Sequence, residues 1–344
     1  MTTFSGWAAT VARGPLSPFT WEPRELAPFE VEIAISHCGI CHSDLHLIDN
    51  GWNSSTYPFV PGHEIVGHVT AVGSAARHLA VGQRVGVGWQ RSACMTCELC
   101  LDRQDNLCPH QTATCVGHHG GFAARIRTDG RYAFAIPDEL ESAVAAPLLC
   151  GGATVYAPLR RYGVDATSSV GVIGIGGLGH IALLMLRAFG AEITALSSSE
   201  SKRDEALAMG AHHFVSSRDA RELHKQAGRF HLLLSTVHAR LDWITLIKTL
   251  RPNGTLCLVG SPPGVMAIHA AALFQGQKTI SASEIGDRAT IAEMLRFSAR
   301  HRIAPVVERM PLAEVNTAIE RVRRNEARYR MVLDVDSQAI KAGG

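Results

Sequence analysis

The sequence lacks an excess of charge of either sign. It contains 33 lysines and arginines and 31 aspartates and glutamates, a formal net charge of +2. Because nucleic-acid backbones and anionic membrane surfaces are bound by strongly basic surfaces, this balance predicts no nucleic-acid partner and no membrane partner. The composition favours a small-molecule partner that is neutral or carries a single charge.

The sequence also lacks signals for export and for membrane insertion. Residues Met1–Ser5 carry no charged segment and precede no apolar core, so we expect no secretory signal. The apolar stretch Val170–Leu186 has 17 residues, the short limit for a bilayer span, and it includes five glycines and one histidine. We interpret it as a buried strand, loop and helix. We expect a cytoplasmic protein without fixed-period repeats.

Cysteine is not scarce, and four of the nine cysteines lie within fifteen residues. Cys94, Cys97 and Cys100 are separated by two-residue gaps, and Cys108 follows after seven residues. Such gaps let neighbouring thiolates bind one zinc ion at about 2.3 Å each, and a fourth thiolate closes the tetrahedron. Disulfides are the alternative, but an odd cysteine count without an export signal favours reduced thiols. We predict a structural zinc site, which leaves no position for a substrate.

Two regions of different composition follow one another along the chain, whose length favours two domains. Residues 1–150 contain period-two runs such as Val31–Ile35 and Ile65–Val72, which are typical of antiparallel strands. From Gly151 onward, short apolar runs alternate with helix-length segments, which predicts a doubly wound parallel sheet. We therefore predict a β-rich domain over residues 1–150, to which residues 289–344 return, and an α/β domain over 151–288.

The individual elements of the second region are bounded by glycine, proline and changes of periodicity. The predicted strands are Val170–Ile173, Ile193–Leu196, Phe214–Val215, Leu232–Leu234 and Leu256–Val259. The predicted helices are Leu178–Phe189, Glu200–Met209, Ala220–Ala227 and Leu241–Leu250. After about residue 286 we predict a helix, a strand at Pro305–Arg309, a helix at Leu312–Arg324 and a last strand at Arg330–Val335.

A glycine motif follows the first of these strands. The motif consists of Gly174, Gly176, Gly177, Leu178 and Gly179. In a Gly-x-Gly-x-x-Gly pattern the first glycine makes the turn, the second admits a pyrophosphate and the third lets the helix pack on the strand. Such a pattern alone could be only a turn, but its place between a strand and a helix of an alternating domain predicts a dinucleotide site at a helix amino terminus.

The end of the next strand predicts which dinucleotide binds. An NAD site carries an acidic residue there, which accepts from the ribose 2′-hydroxyl and repels a 2′-phosphate. This chain has Ser197 and Ser198, followed by Lys202, so hydroxyl donors and a positive charge are available instead. The serines could also simply cap the following helix. We predict NADP(H).

A second metal site is suggested by scattered residues. Cys41, His63 and Cys150 are ligand types that zinc prefers, and three protein ligands would leave a fourth position open, as in catalytic sites. Their spacing does not show that they converge, and a single such residue is more often packed in a core than bound to a metal.

The order of these motifs resembles that of the zinc-dependent medium-chain alcohol dehydrogenases, over essentially the whole chain. The motifs are the loop before His42, the Gly-His-Glu at 62–64, the four-cysteine segment, the Leu-Leu-Cys-Gly-Gly at 148–152 and the glycine motif. Residues 148–150, the serine-rich strand end and Ala327–Arg330 resemble the cinnamyl-alcohol-dehydrogenase branch. Gly86–Trp89 and Ser281–Ile285 resemble its bacterial members, NADPH-dependent aldehyde reductases of broad specificity. The resemblance implies a GroES-like catalytic domain and a Rossmann cofactor domain.

The resemblance also implies the roles of particular residues. Cys41, His63 and Cys150 would bind a catalytic zinc ion, with Glu64 as an occasional fourth ligand, so that each chain holds two zinc ions. Asp44 would orient His63. The three cysteines left over, which we interpret as packing residues, are Cys38, Cys115 and Cys257.

Other roles concern the substrate and the cofactor. Ser43 would contact the substrate oxygen and the cofactor, and His46 would lie at the far end of a proton path through the cofactor ribose. Trp52, Trp89 and Ile285 would form walls of the substrate pocket. The further residues that match cofactor contacts are Thr154, Thr236, Gly260, Ile285 and Arg330.

The implied activity is reversible reduction of an aliphatic or aromatic aldehyde to a primary alcohol by a homodimer. Oxidation of a cinnamyl-type alcohol or a polyol is the alternative within the family. A zinc-free quinone or enone reductase of the same fold would lack the cysteine segment and the catalytic ligands. An NADPH-binding protein that has lost activity would be expected to have lost those ligands first.

Overall fold

The computed structural model describes residues 3–336. The chain divides into two compact units, one containing the residues up to Cys150 together with those from Asp287 onward, the other Gly151–Gly286. The second boundary lies two residues before the predicted end at 288. The reason is that Asp287 accepts hydrogen bonds from the N–H groups of Ala289 and Thr290 and so caps the helix of the first unit that begins at Arg288.

The elements are numbered in chain order. The strands are β1 (Phe4–Ala9), β2 (Leu16–Trp21), β3 (Glu30–Ile40), β4 (Glu64–Val72), β5 (Arg84–Val87), β6 (Gln90–Ser92), β7 (Thr112–Ala113), β8 (Arg125–Asp129), β9 (Ala133–Ala135), β10 (Ser169–Ile173), β11 (Glu192–Ser197), β12 (His213–Ser216), β13 (Phe230–Ser235), β14 (Leu250–Leu258), β15 (Thr279–Ala282), β16 (Val307–Pro311) and β17 (Arg330–Asp334). The α-helices are α1 (His42–Ile48), α2 (Glu98–Leu101), α3 (Ser142–Pro147), α4 (Ala153–Arg161), α5 (Gly179–Phe189), α6 (Arg203–Ala208), α7 (Ala220–His224), α8 (Trp243–Thr249), α9 (Ala271–Phe274), α10 (Arg288–Arg300) and α11 (Val315–Arg323). Shorter turns are the 3-10 segments Asp105–Leu107, Gly130–Tyr132, Glu200–Lys202 and Leu312–Glu314 and the π turn Leu148–Gly152.

A seven-stranded sheet organises the first unit. Its order is β16-β17-β3-β4-β5-β9, and β8 also pairs with β3; only β16 and β17 run parallel. Residues such as Ile33, Ile65 and Val85 are fully buried in one apolar cluster. The predicted strands over 31–35 and 65–72 are the neighbours β3 and β4, whose pairing fixes the loops at their ends.

A six-stranded parallel sheet forms the second unit. Its order is β12-β11-β10-β13-β14-β15, so the direction of the strand order reverses between β10 and β13. In open sheets of this kind, ligands bind beyond the carboxyl ends of the strands at the reversal. The five predicted strands are β10 to β14. The sixth, β15, was not predicted from its pattern because it is a half-exposed edge strand without an apolar run.

One helical stretch, Ser142–Arg161, is long and apolar enough to cross a membrane by length and composition alone. However, 78% of its apolar window is buried inside the protein, so packing in the core explains its hydropathy. The stretch Val170–Leu186 is β10, a loop and most of α5, as predicted.

The loop after β10 is held by close backbone contacts. Gly174 has φ of +88°, which favours glycine. A Cβ on Gly179 would lie 1.8 Å from the carbonyl oxygen of Gly174, whereas a Cβ on Gly176 would meet no atom within 4 Å. The Thr236 hydroxyl donates to the carbonyl oxygens of Ile173 and Gly174, at 3.0 and 2.9 Å. The loop therefore has no room for a side chain at Gly179 but has open space at Gly176.

These contacts predict a difference between two glycine substitutions. Gly179→Ala should lower the free energy of unfolding by about 1–3 kcal/mol, because the new methyl group overlaps a backbone oxygen. Gly176→Ala should change it by less than about 0.5 kcal/mol, because the space is open. Urea unfolding followed by circular dichroism measures both. Equal stability of the two variants would contradict the packing described.

A buried ion pair connects β17 to β4. The Arg330 guanidinium donates to Glu64, and these side chains are 5% and 0% exposed. Removing one partner of a buried pair leaves the other charge uncompensated and costs about 3–5 kcal/mol, although the intact pair contributes little net stability.

Arg330→Met should therefore lower the free energy of unfolding by about 3–5 kcal/mol. The matched control is the double variant Glu64→Gln/Arg330→Met, which removes both charges and should recover a large part of this loss. Denaturant midpoints of the three proteins measure the effect. If the double variant is no more stable than Arg330→Met, the pair is not the source of the loss.

Candidate functional site

The predicted metal ligands Cys41, His63 and Cys150 come from three separate segments of the first unit. Cys41 precedes α1 at the end of β3, and His63 immediately precedes β4. Cys150 lies in the π turn that follows α3. Because β3 and β4 are antiparallel neighbours with Gly39 opposite Glu64, the end of one strand lies beside the start of the other.

The ligand atoms of these residues converge. Sγ of Cys41 lies 3.9 Å from Sγ of Cys150, and Nε2 of His63 lies 3.3 Å from the same sulfur. With Glu64, the four ligand atoms lie within 4.8 Å of one another. A tetrahedral zinc ion with ordinary bond lengths separates two sulfurs by ~3.8 Å and a sulfur from a nitrogen by ~3.6 Å. The residues present fit such an ion.

Asp44 organises this cluster from within the protein. Its fully buried carboxylate accepts from Nδ1 of His63 at 2.8 Å, from the Gly62 N–H at 3.0 Å and from the Cys41 N–H at 2.9 Å. Because Nδ1–H donates to the carboxylate, the lone pair of Nε2 faces the two sulfurs. The predicted orienting contact is present, and it also fixes the backbone on both sides of the site.

The electrostatics of the cluster suit a cation. The hydrogen bond from Cys150 holds the pKa of the Cys41 thiol well below its usual value. Burial raises the pKa of Glu64 to about 7, although Arg330 opposes the rise. Oε2 of Glu64 is buried and has no hydrogen-bond partner among the described residues. A positive ion among these groups would satisfy an acceptor that the protein leaves unsatisfied.

Two features near the cluster were not assigned from the sequence. Cys115, interpreted as a packing residue, has its sulfur within 4.8 Å of ligand atoms of Asp44 and His63. Burial raises the pKa of its thiol, which favours the neutral form. The ion pair of Arg330 with Glu64 also has no signal in sequence spacing, because 266 residues separate the partners.

The four-cysteine segment also closes on itself. The sulfurs of Cys94 and Cys100 are 3.8 Å apart, those of Cys97 and Cys108 are 3.7 Å apart, and those of Cys108 and Cys94 are 3.6 Å apart. These distances match the ~3.8 Å edge of a zinc–sulfur tetrahedron. The Thr96 and Cys97 N–H groups lower the pKa of Cys94 to about 5. None of the nine cysteines forms a disulfide in the structure.

Polar and aromatic side chains of the first unit lie around Cys41. Oγ of Ser43 is 3.7 Å from Sγ of Cys41, and His46 lies one turn further along α1. The ring of His46 stacks on that of Trp52, with 5.0 Å between the ring centroids. The rings of Trp52 and Trp89 meet edge to face, with centroids 5.9 Å apart. The rings of Trp89 and His63 also meet edge to face, with centroids 5.0 Å apart. Trp52 and Trp89 therefore form one aromatic wall that reaches the cluster.

The predicted cofactor residues of the second unit lie at the carboxyl ends of its strands. Ser197 is buried at the end of β11, whereas Ser198 is exposed. Nζ of Lys202 donates to the Ile175 carbonyl oxygen at 2.6 Å, so this cation lies on the glycine loop. Thr236 holds that loop through its hydroxyl, and a Cβ on Gly260 would lie 2.6 Å from the Val237 carbonyl oxygen.

The remaining assignments stay predictions. Thr154 lies in α4, half-buried, and Ile285 is buried in the second unit with φ of 38°. Arg330 is engaged with Glu64, and its cofactor contact stays a prediction.

Comparisons with known proteins match both units. Residues 27–138 match the family model of the alcohol dehydrogenase GroES-like domain, and residues 177–300 match that of the zinc-binding dehydrogenases. The predicted fold class is confirmed.

Relatives match over almost their full length. The aldehyde reductase AdhA of Synechocystis sp. is 45% identical over 327 residues, which are 95% of this chain and 97% of that protein. The mannitol dehydrogenase of Petroselinum crispum is 41% identical over 329 residues, 93% and 98% of the two chains.

Solved structures of related proteins match the fold of this chain over almost its full length. A cinnamyl alcohol dehydrogenase of Sorghum bicolor has a TM-score of 0.93 and 38% identity, covering 97% of this chain and 98% of that one. A Helicobacter pylori CAD complexed with NADP(H) has a TM-score of 0.90 and 31% identity, covering 97% and 98%. The chain therefore belongs to the zinc-binding medium-chain alcohol dehydrogenases, in the branch of the cinnamyl alcohol dehydrogenases and bacterial aldehyde reductases.

Proposed function

We propose that this protein is a zinc- and NADPH-dependent oxidoreductase that reversibly reduces aldehydes to primary alcohols. The observation that carries the proposal is the buried convergence of Cys41, His63, Cys150 and Glu64 around the space that a metal ion would fill. The relatives named aldehyde reductase and cinnamyl alcohol dehydrogenase support this reaction class.

The two cofactors would be held by separate sets of residues. Cys41, His63 and Cys150 would hold a catalytic zinc ion, with Glu64 as a further donor, and the four-cysteine segment would hold a structural one. When bound, zinc supplies a Lewis acid for a carbonyl oxygen and the nicotinamide supplies hydride. The glycine loop would hold the pyrophosphate through its backbone N–H groups, at the position where Gly176 leaves open space.

Side chains of α1 would transfer the proton that reduction of an aldehyde requires. Ser43 is placed beside Cys41, where its hydroxyl can donate to the oxygen of a substrate. His46 lies three residues later on the same helix, and the proposal assigns it the far end of the proton path. Asp44, between them, faces inward to His63 and takes no direct part in this transfer.

The walls of the site favour planar apolar substrates. Trp52 and Trp89 present ring faces and edges close to His63, and aromatic pairs add to the contact energy beyond area alone. This observation favours aromatic aldehydes and cinnamyl-type alcohols over polyols, whose hydroxyl groups would need polar partners. The alternative of an inactive binding protein is not favoured, because the convergence of Cys41, His63 and Cys150 supports a working metal site.

The proposed homodimer would form through the cofactor units. β15 pairs with β14 on one side only, which leaves an edge strand, and Phe274 nearby along the chain is 81% exposed. Unpaired edges and exposed aromatic residues are features of surfaces that associate. A cytoplasmic location, where the nine cysteines would remain reduced, is proposed with it.

The reaction is tested by measuring NADPH consumption with short aliphatic, long aliphatic and aromatic aldehydes. Turnover with aldehydes, highest for the aromatic group, is the expected result.

Cys41→Ser should lose one of two zinc ions and nearly all turnover. The matched variant Cys100→Ser should lose the other zinc ion and mainly stability. Metal analysis that still finds two zinc ions in an active Cys41→Ser protein would reject the assignment of the catalytic site.

The preference for NADPH is proposed from Ser198 and Lys202. The carboxylate nearest to Ser198 in sequence, Glu200, is paired with Arg203. A charge-assisted hydrogen bond contributes roughly 1.5–3 kcal/mol. Lys202→Ala should therefore weaken apparent NADPH affinity about ten- to a hundredfold and change NADH affinity little.

Lys225→Ala, which removes an exposed lysine directly after α7 in the same unit, is the control and should affect neither cofactor. Affinities are measured by titrating the quenching of protein fluorescence. An equal loss for NADPH and NADH in Lys202→Ala would show that this lysine does not recognise the 2′-phosphate.

A further inference from the structure

The first unit contains a cavity of about 600 Å³ whose lining includes none of the residues around Cys41. It is bordered by β9, the start of α10 and the four-cysteine segment, from which Cys100 and Arg103 contribute. Its volume lies within the range of about 300–1,000 Å³ that is usual for small-molecule sites. The cavity is large enough for an organic ligand.

Four arginines make this cavity positively charged: Arg103, Arg131, Arg288 and Arg296. Arg131 is satisfied by a bidentate ion pair with Asp129. The side chains of Arg103 and Arg296 form no ion pair or hydrogen bond with any residue of the range 3–336. Two guanidinium groups are therefore available to a ligand.

Arg288 adds a donor that the protein leaves unsatisfied. Its Nε lies 3.4 Å from a carboxylate oxygen of Asp105, yet this nitrogen is buried and has no hydrogen-bond partner among the described residues. Asp105 is already engaged with the Tyr132 hydroxyl at 3.1 Å. Buried donors without partners are rare and often indicate a missing ligand or water.

Besides the arginines, the lining includes the carboxylates of Asp105 and Asp287 and a few other polar residues, and much of the remainder is apolar. Leu79, Phe134 and Ile136 contribute side chains that are at most 8% exposed, and Ala289 and Ala292 contribute from α10. A ligand that matched only the arginines would leave this apolar surface in contact with water. An apolar body joined to an anionic group would match both parts.

A second cavity of the first unit lacks this excess of charge, although it too is lined by arginines. It has a volume of about 430 Å³ and includes Arg24, Arg91 and Arg127. Arg24 and Arg91 pair with Glu30, and Arg127 pairs with Glu32. Its guanidinium groups are compensated by the protein, so the cavity beside α10 is the better anion site.

We propose that the cavity beside α10 binds a small organic anion, a phosphate or carboxylate attached to an apolar body. Arginine forks bind both groups through paired N–H donors. Because the cavity is lined both by α10 and by the four-cysteine segment, a bound anion connects the two. A ligand that binds only the folded protein stabilises it, so at ten times its Kd the unfolding equilibrium constant falls about elevenfold.

The test is calorimetric titration of the enzyme with saturating nicotinamide cofactor, which occupies the phosphate-binding loop. The probes are phenyl phosphate, benzoate, inorganic phosphate and the neutral ether anisole. Saturable binding of phenyl phosphate or benzoate, one per chain and at least tenfold tighter than inorganic phosphate or anisole, is the expected result. Which organic anion binds more tightly identifies the preferred group. Equal affinity for inorganic phosphate, or no saturable binding at millimolar concentration, overturns the proposal.

Variants locate the binding site. Arg103→Gln/Arg296→Gln should weaken the organic anion at least tenfold. The control Arg300→Gln/Arg302→Gln, which removes two exposed arginines outside the cavity lining, should leave affinity unchanged. Ala292→Glu should abolish binding and raise the unfolding midpoint without ligand, because its carboxylate takes the place of the anion. Unchanged affinity in either Arg103→Gln/Arg296→Gln or Ala292→Glu would place binding elsewhere and overturn the assignment.

Discussion

The structure depends on a small buried volume in which two cysteine sulfurs, an imidazole and a carboxylate face one another. Such a concentration of electron-pair donors is costly unless a cation lies among them. The protein prepares this volume with Asp44, whose carboxylate holds the ring of His63 and two backbone N–H groups. Arg330, which is far from Glu64 in the sequence, supplies the positive charge that keeps Glu64 in place.

The two cysteine-rich clusters differ in what they leave open. The segment from Cys94 to Cys108 offers four sulfurs at tetrahedral spacing, so a bound ion there would be enclosed by protein and would brace a loop. The cluster around Cys41 offers two sulfurs and one nitrogen, and one carboxylate oxygen of Glu64 is held by Arg330 while the other has no partner among the described residues. The proposed function assigns the chemistry to the second cluster, because a substrate oxygen could complete its set of donors.

Much of the fold follows from local patterns. The alternation after Gly151 predicted five of the six strands of the parallel sheet, because buried strands there are continuous apolar runs. β15 was not predicted because an edge strand is only half buried and lacks a continuous apolar run. The second unit boundary was placed two residues late, since Asp287 resembles a loop residue until its capping of α10 is seen. Cys115 was assigned to packing, since no spacing rule connects it to His63.

The sequence by itself determined the ligand types, the closed four-cysteine segment and the glycine loop, because each depends on residues that are neighbours along the chain. Only the tertiary structure decided that Cys41, His63 and Cys150 meet, that Glu64 pairs with Arg330 and that free arginines line a cavity beside α10. The physical reason is that these contacts depend on strand pairing and on burial. Both are set by the packing of the whole unit, and residue spacing does not encode them.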